Sequence, residues 1–179
     1  GAMNRNRTYP DEPAGPFPEP PLSFEDQKGR EIEIRPYDPE GDDFETLVDM
    51  YNTVDPTDRT RGIPPKRESR IRSWLENVLY DDCLNVVAWN GDAVAGHAVL
   101  VPDEEAYELT IFVIQRYRQA SIGTHLMRSL LGYGEASDVE QVWLTVDRGN
   151  QSAITLYEKM GFETSKIENL ELEMVLRLQ

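Results

Sequence analysis

Cysteine is nearly missing from this chain of 179 residues: Cys83 stands alone, which excludes an internal disulfide framework and suits a reducing, cytoplasmic compartment. Cys83 also has no histidine beside it in sequence, so it reads as a structural thiol rather than a nucleophile. Histidine is scarce too. His97 and His125 are the whole supply, one in an alternating strand and one at the start of a helix; two isolated histidines do not make a metal site, and no metal is expected. No run of about 18 apolar residues occurs, and the N-terminal stretch is polar and proline-rich, so neither a membrane span nor a secretion signal is expected. Lysine is limited to Lys28, Lys66, Lys159 and Lys166, so arginine supplies fourteen of the eighteen basic residues.

What the chain has in excess is carboxylate, 33 acidic residues for a formal net charge of -15. Phosphate backbones need a basic stripe, so nucleic acid is not an expected partner. Acid-rich and lysine-poor composition together resemble the cytosolic proteins of halophilic archaea, where salt screens the repulsion among dense carboxylates. An acidic face that attracts a cationic substrate is the competing reading. Acidic residues run along nearly the whole chain, which favours the first.

The length fits one domain with a full core. Gly1-Ala2-Met3 reads as a cleavage remnant ahead of Met3, and six of the twelve prolines fall within residues 4 to 22, so 1–22 is expected to be a tag remnant and disordered tail, with a single domain over 23–179. Glu31 to Arg35 alternates with period two, a strand. Asp42 to Asn52 places Phe44, Leu47, Val48 and Tyr51 at helical spacing, and Ile71, Trp74, Leu75 and Val78 repeat that pattern after a long loop, 53–65. Strands follow at Leu84–Trp89 and Ala93–Val101, joined by Asn90-Gly91-Asp92, a tight-hairpin signal, and then at Tyr107–Ile114. Ser121 to Gly134 is helical, Gln141–Val146 a strand, Gln151–Met160 a helix ended by Gly161, and Phe162–Leu178 a terminal hairpin. The order βααβββαβαββ predicts an α/β (α+β) fold: a mixed, mostly antiparallel, twisted sheet of seven strands flanked by four helices.

Two stretches carry chemistry. In the first, the strand ending at Phe112-Val113-Ile114 runs into a polar loop, Gln115 to Ala120, that opens the helix at Ser121-Ile122-Gly123-Thr124. Free N–H groups and the positive dipole end of such a helix suit an anion, a diphosphate best. In the second, Asn150 can cap the helix that continues through Ala153 to Leu156-Tyr157-Glu158-Lys159-Met160, and Gly161 can stop it before Phe162 packs.

The first stretch resembles the acetyl-CoA loop of the GNAT acetyltransferases, whose pattern is Arg or Gln, two residues, Gly, one residue, Gly or Ala. Here it reads Arg118, Gln119, Ala120, Ser121, Ile122, Gly123, with Ser121 and Gln119 standing where glycines are usual. Serine is a favoured N-cap whose hydroxyl can bond a phosphate or a second-turn N–H, although glycine allows closer approach. The second stretch resembles the family's later motif and adds specificity. The resemblance is clear over 107–162 and looser over 31–101.

It implies a GNAT-like fold and an N-acetyltransferase that moves acetyl from the cosubstrate acetyl-CoA to a primary amine by direct attack, in a ternary complex. The amine belongs to a small molecule, a protein lysine or a protein N-terminus. It also implies that strands 107–114 and 141–146 splay apart so that pantetheine bonds main-chain groups of Phe112, Val113 and Ile114. Arg118, Gln119, Ala120, Ser121, Ile122, Gly123 and Thr124 would hold the diphosphate, with Asn150 and Tyr157 also at the coenzyme. Tyr157 is the implied acid for the departing thiolate, and the N–H of Val113 would polarise the thioester. Glu108 is the candidate base, with a solvated strand carboxylate as the alternative and Glu104 or Glu105 acting through water as a further route. His125 would flank the coenzyme. A non-catalytic acyl-CoA-binding module of the same fold is the alternative function, and a homodimer is the commonest assembly for a soluble oligomer.

Overall fold

The computed structural model describes residues 7–54 and 67–179. The loop expected at 53–65 therefore lies almost wholly outside the described residues. Within them the order is β1 (Leu22–Glu25), β2 (Glu31–Pro36), α1 (Asp43–Asn52), α2 (Glu68–Val78), β3 (Leu84–Asn90), β4 (Ala93–Asp103), β5 (Ala106–Val113), α3 (Ile122–Ala136), β6 (Gln141–Asp147), α4 (Gln151–Met160), β7 (Glu163–Ile167) and β8 (Glu171–Arg177), with a short 3-10 turn at Gln115–Tyr117. All form one mixed sheet in the order β1-β2-β3-β4-β5-β6-β8-β7. The α/β sheet with four helices is as expected. Among the described residues there are eight strands rather than seven, because Leu22–Glu25 pairs antiparallel with β2.

Both faces are covered. On one, Leu126, Met127, Leu130 and Leu131 of α3 are fully buried against Ile32, Ile34, Val86, Leu100, Val142 and Leu144. On the other, Leu47, Val48 and Tyr51 of α1 and Ile71 and Leu75 of α2 close over Val87 and Trp89. Each such side chain contributes on the order of 1.5–3 kcal/mol, so the amphipathic stripes suffice to hold α1 to α3 in place. Coverage on both sides explains why β4 is buried at every position from Val94 to Leu100. The β3–β4 connection is the tight turn that Asn-Gly signals, with Gly91 at φ +61°.

The proline-rich segment expected to be a free tail instead forms a strap from residue 7 onward. Ala14 donates its N–H to the Arg177 carbonyl (2.7 Å), the Phe17 N–H donates to Glu135 (2.9 Å), and the Phe17 ring is buried. Gly132 of α3 lets the strap pass, since a Cβ there would collide with the Pro18 carbonyl. At its start Arg7 lies 3.7 Å above the Trp143 ring and 3.0 Å from Glu173. Proline without periodicity looks disordered by composition, but a strap needs only main-chain bonds and a few anchors.

Candidate functional site

β5 and β6 are the parallel neighbours in the sheet, and their pairing is confined to Tyr107–Val142 and Glu108–Trp143. Beyond that point β5 stays bonded to β4 as far as Val113, and β6 stays bonded to β8 as far as Asp147. The sheet therefore opens into a V between Leu109–Val113 and Leu144–Asp147, as the resemblance implied.

At the mouth of the V the N–H of Ile114 donates to the Ala95 carbonyl (2.9 Å), and its own carbonyl accepts from Tyr117 (2.8 Å). Both main-chain groups that the expectation offered to a ligand from Ile114 are thus committed within the protein. Backbone groups alternate sides along a strand, so with Ile114 turned to β4, the N–H and carbonyl of Val113 turn toward the gap. The carbonyl accepts from Arg118 Nε (2.8 Å), and the Arg118 guanidinium lies 5.5 Å from the Phe112 ring centre. Phe112 itself pairs with His97 of β4.

The loop then turns through two non-glycine residues in left-handed backbone, Gln119 at φ +57° and Ser121 at φ +73°. These are the two positions where the resembled family carries glycine, and the sign of φ is the physical reason. Ser121 does occupy the N-cap position of α3, but its hydroxyl makes no capping bond; left-handed backbone differs from the extended geometry in which serine caps. Ala120 and Ile122 are buried in the core, so only their main chain faces the loop side. Gly123 and Thr124 open the helix on a half-buried surface, with Gly123 beside Val113. His125 stacks on Phe24 of β1, ring centres 3.9 Å apart, and burial and the Arg128 charge both lower its pKa.

Asn150 caps α4 as expected, its side-chain oxygen accepting from the Ala153 N–H (3.2 Å), and Gly161 ends the helix at φ +112°. Tyr157 is half-buried, packed against the larger core cluster, its ring 5.9 Å from Phe162. Glu108 lies opposite Trp143 in the last rung before the V opens, on the face that also carries Tyr9 of the strap. The base and acid candidates thus belong to the two opposite faces of the sheet at the opening. Glu104 and Glu105 sit at the β4–β5 turn, at the far end of β5, and line a cleft of about 550 Å³ with Arg7, Tyr9 and Gln141, away from the mouth. Cys83 is buried, and burial raises its pKa.

Sequence reasoning missed a buried polar chain behind Phe112. Asn85 Nδ2 donates to the Val78 carbonyl at the end of α2 (2.8 Å), which leaves Asn85 Oδ1 to accept from His97 Nε2 (2.7 Å). His97 Nδ1 is then the acceptor for the Tyr51 hydroxyl of α1 (2.8 Å). Burial pushes His97 down to about 4 and Tyr51 upward, so the imidazole is neutral and its tautomer is set by its partners. The Tyr51 ring meets Phe112 at 5.7 Å and Trp74 edge-on at 5.0 Å. The available signal was a lone polar residue inside the apolar run Val94–Leu100, where a buried polar group needs partners.

Compared with known proteins, residues 45–162 match the acetyltransferase (GNAT) family. Two curated relatives are an N-alpha-acetyltransferase of Sulfurisphaera tokodaii, 35% identical over 36% of this chain and 39% of that protein, and the [ribosomal protein bS18]-alanine N-acetyltransferase of Escherichia coli, 33% identical over 44% and 53%. The matches span about half the length of those relatives or less. Among solved structures, YncA of Salmonella typhimurium with its cofactor acetyl-CoA superposes with a TM-score of 0.66 at 18% identity, over 83% of this chain and 94% of that one.

Proposed function

The chain belongs to the GNAT acetyltransferase family, and we propose that it is an acetyl-CoA-dependent N-acetyltransferase acting on a primary amine. The observation that carries this reading is the V between β5 and β6, whose pairing ends at Glu108–Trp143 directly before the loop that opens α3. Such a gap leaves main-chain groups of β5 without a strand partner on one side, which suits an extended amide-bearing chain such as pantetheine. The residues present fit acetyl-CoA. The Val113 N–H faces the gap, and the start of α3 at Ile122-Gly123-Thr124 offers N–H groups to a diphosphate. Asn150 at the start of α4 and Tyr157 within it complete the coenzyme contacts in this reading.

Acetyl transfer needs a neutral amine and a proton for the thiolate. A free ammonium titrates near about 10.4, so it must lose its proton before nitrogen attacks the thioester carbonyl. Glu108 is the base in this reading, and Glu104 and Glu105, in the turn before β5, would act only through water. The Val113 N–H stabilises the oxyanion as the carbon–nitrogen bond forms. As the carbon–sulfur bond breaks, Tyr157 gives its phenolic proton to the sulfur, and the proton shed by the newly acylated nitrogen restores the phenol. The end of β6 at the gap carries Asp147, a carboxylate that suits a cationic acceptor, including a protein N-terminus or lysine. The acid-rich, lysine-poor composition further supports a protein adapted to high salt.

Calorimetry with acetyl-CoA and a thiol-release assay over an amine panel test the reading. Tyr157→Phe is expected to lower kcat by about 10²–10⁴ while acetyl-CoA still binds. Binding without turnover of any amine would favour the non-catalytic alternative, and no binding at millimolar acetyl-CoA would sink both.

A further inference from the structure

We propose that the turn between β1 and β2, through Asp26 and Arg30, is a positioning element for the coenzyme loop, holding it in the left-handed backbone that Gln119 and Ser121 adopt without glycine. The inference rests on the reading of residues 112–124 as the acetyl-CoA loop.

The turn is built around one buried carboxylate. Asp26 Oδ1 accepts from the N–H of Lys28 (2.9 Å) and of Arg30 (2.8 Å), and Oδ2 accepts from Arg30 Nε (2.7 Å). Burial would raise the Asp26 carboxyl, but these donors outweigh it and hold the group below its ordinary value. Fixed in this way, Arg30 reaches the loop 86 residues away. Its Nη1 donates to the Arg116 carbonyl (3.1 Å), and its guanidinium lies 4.3 Å over the Tyr117 ring. The N–H of Gln27 donates to the Ala120 carbonyl (3.1 Å). From the other side, Asn90 Nδ2 of the β3–β4 hairpin donates to the Tyr117 hydroxyl (2.8 Å).

These contacts fall on residues 116, 117 and 120, so they bracket Gln119 and end one residue before Ser121. Non-glycine residues with φ near +60° persist only where surrounding structure over-determines them. Here that structure is the β1–β2 turn. A loop released from it populates other backbones, and the apparent affinity for a ligand falls with the population of the competent one.

The experiment compares Arg30→Lys and Arg30→Ala in two backgrounds, wild type and the Gln119→Gly/Ser121→Gly double variant. Arg30→Lys keeps a cation beside Asp26 while removing the Arg116 and Tyr117 contacts, which guards against simple misfolding. In the wild-type background either change is expected to raise the acetyl-CoA Kd by about tenfold with the amine KM unchanged. In the glycine background, where left-handed backbone is free of strain, the same change is expected to cost about threefold or less. Equal losses in both backgrounds, or no loss in either, overturn the proposal. Hydrogen exchange of the Tyr117–Ile122 amides reads the loop without the coenzyme. Faster exchange in Arg30→Lys supports the brace, and unchanged exchange overturns it. Failure of wild type to bind acetyl-CoA would refute the function while leaving that second measurement decisive for the brace.

Discussion

The Tyr51–His97–Asn85 chain makes a prediction whose sign and size both follow from burial. His97 is 2% exposed and is pushed by burial from an ordinary 6.5 down to about 4. The folded protein therefore binds the imidazole proton less readily than the unfolded chain does. Stability contributed by neutral His97 is fully present above pH 6.5, declines as pH falls through the interval to about 4, and is exhausted below it. At about 1.36 kcal/mol per pH unit the full loss is about 3 kcal/mol, of which about 2 kcal/mol has gone by pH 5.

The many carboxylates also titrate as pH falls, so the measurement is a difference. Urea unfolding of wild type and His97→Gln at pH 7, 6 and 5 cancels what the two proteins share. At pH 7 the variant is expected to be less stable by about 1–3 kcal/mol, since the amide lacks the packing of the buried ring and does not hold its donor and acceptor where the imidazole holds Nε2 and Nδ1. By pH 5 that gap should close by about 2 kcal/mol. A gap that stays constant from pH 7 to 5 would refute the assignment of a neutral, buried imidazole. An NMR spectrum of the ring nitrogens should show the proton on Nε2 at pH 7, as the bond to Asn85 requires.

Gly132→Ala is expected to expel the strap from α3, because the new methyl would occupy the place of the Pro18 carbonyl. Losing Phe17 from the core should destabilise the protein by about 1.5–3 kcal/mol and open residues 8–21 to limited proteolysis. Wild-type resistance in Gly132→Ala would refute this, showing that the strap stays in place despite the added methyl. Gly96→Ala places a Cβ 2.9 Å from the Phe112 carbonyl oxygen and 3.4 Å from Val113 Cγ2, so it pushes the end of β5 that borders the V. Calorimetry should record acetyl-CoA binding weaker by about tenfold, a loss of about 1.4 kcal/mol, alongside a loss of about 1–3 kcal/mol in stability from the clash with the β5 backbone and Leu126.

Much of this architecture was legible because its signals are local. Alternation marks Glu31–Arg35, helical spacing marks Leu47–Tyr51 and Leu126–Leu131, and Asn90-Gly91 sets a turn by its own backbone preference. The α4 motif is legible for the same reason, since Asn150 and Gly161 each do their work within four residues of themselves. The missed features are those whose partners are distant in sequence. Leu22–Glu25 is a four-residue strand directly behind two prolines, and only the turn at Asp26–Arg30 and the matching alternation in β2 give it away. The strap is anchored by contacts such as Phe17 to Glu135, 118 residues apart, which composition cannot reveal.

Ser121 and Gln119 show where identity and conformation part. Sequence comparison marks both as departures from glycine, and the natural inference from a departure is a weaker site. Their positive φ changes the inference: the backbone keeps the glycine-type conformation although the side chains oppose it. A conformation that disfavours its own residues must be stabilised by its neighbours. The contacts from Gln27 and Arg30 to Ala120, Arg116 and Tyr117 supply that stabilisation from the strand that the sequence hid best. The atypical loop and the unforeseen hairpin are accordingly one adaptation, with β1 and its turn taking the part that two glycines play elsewhere in the family.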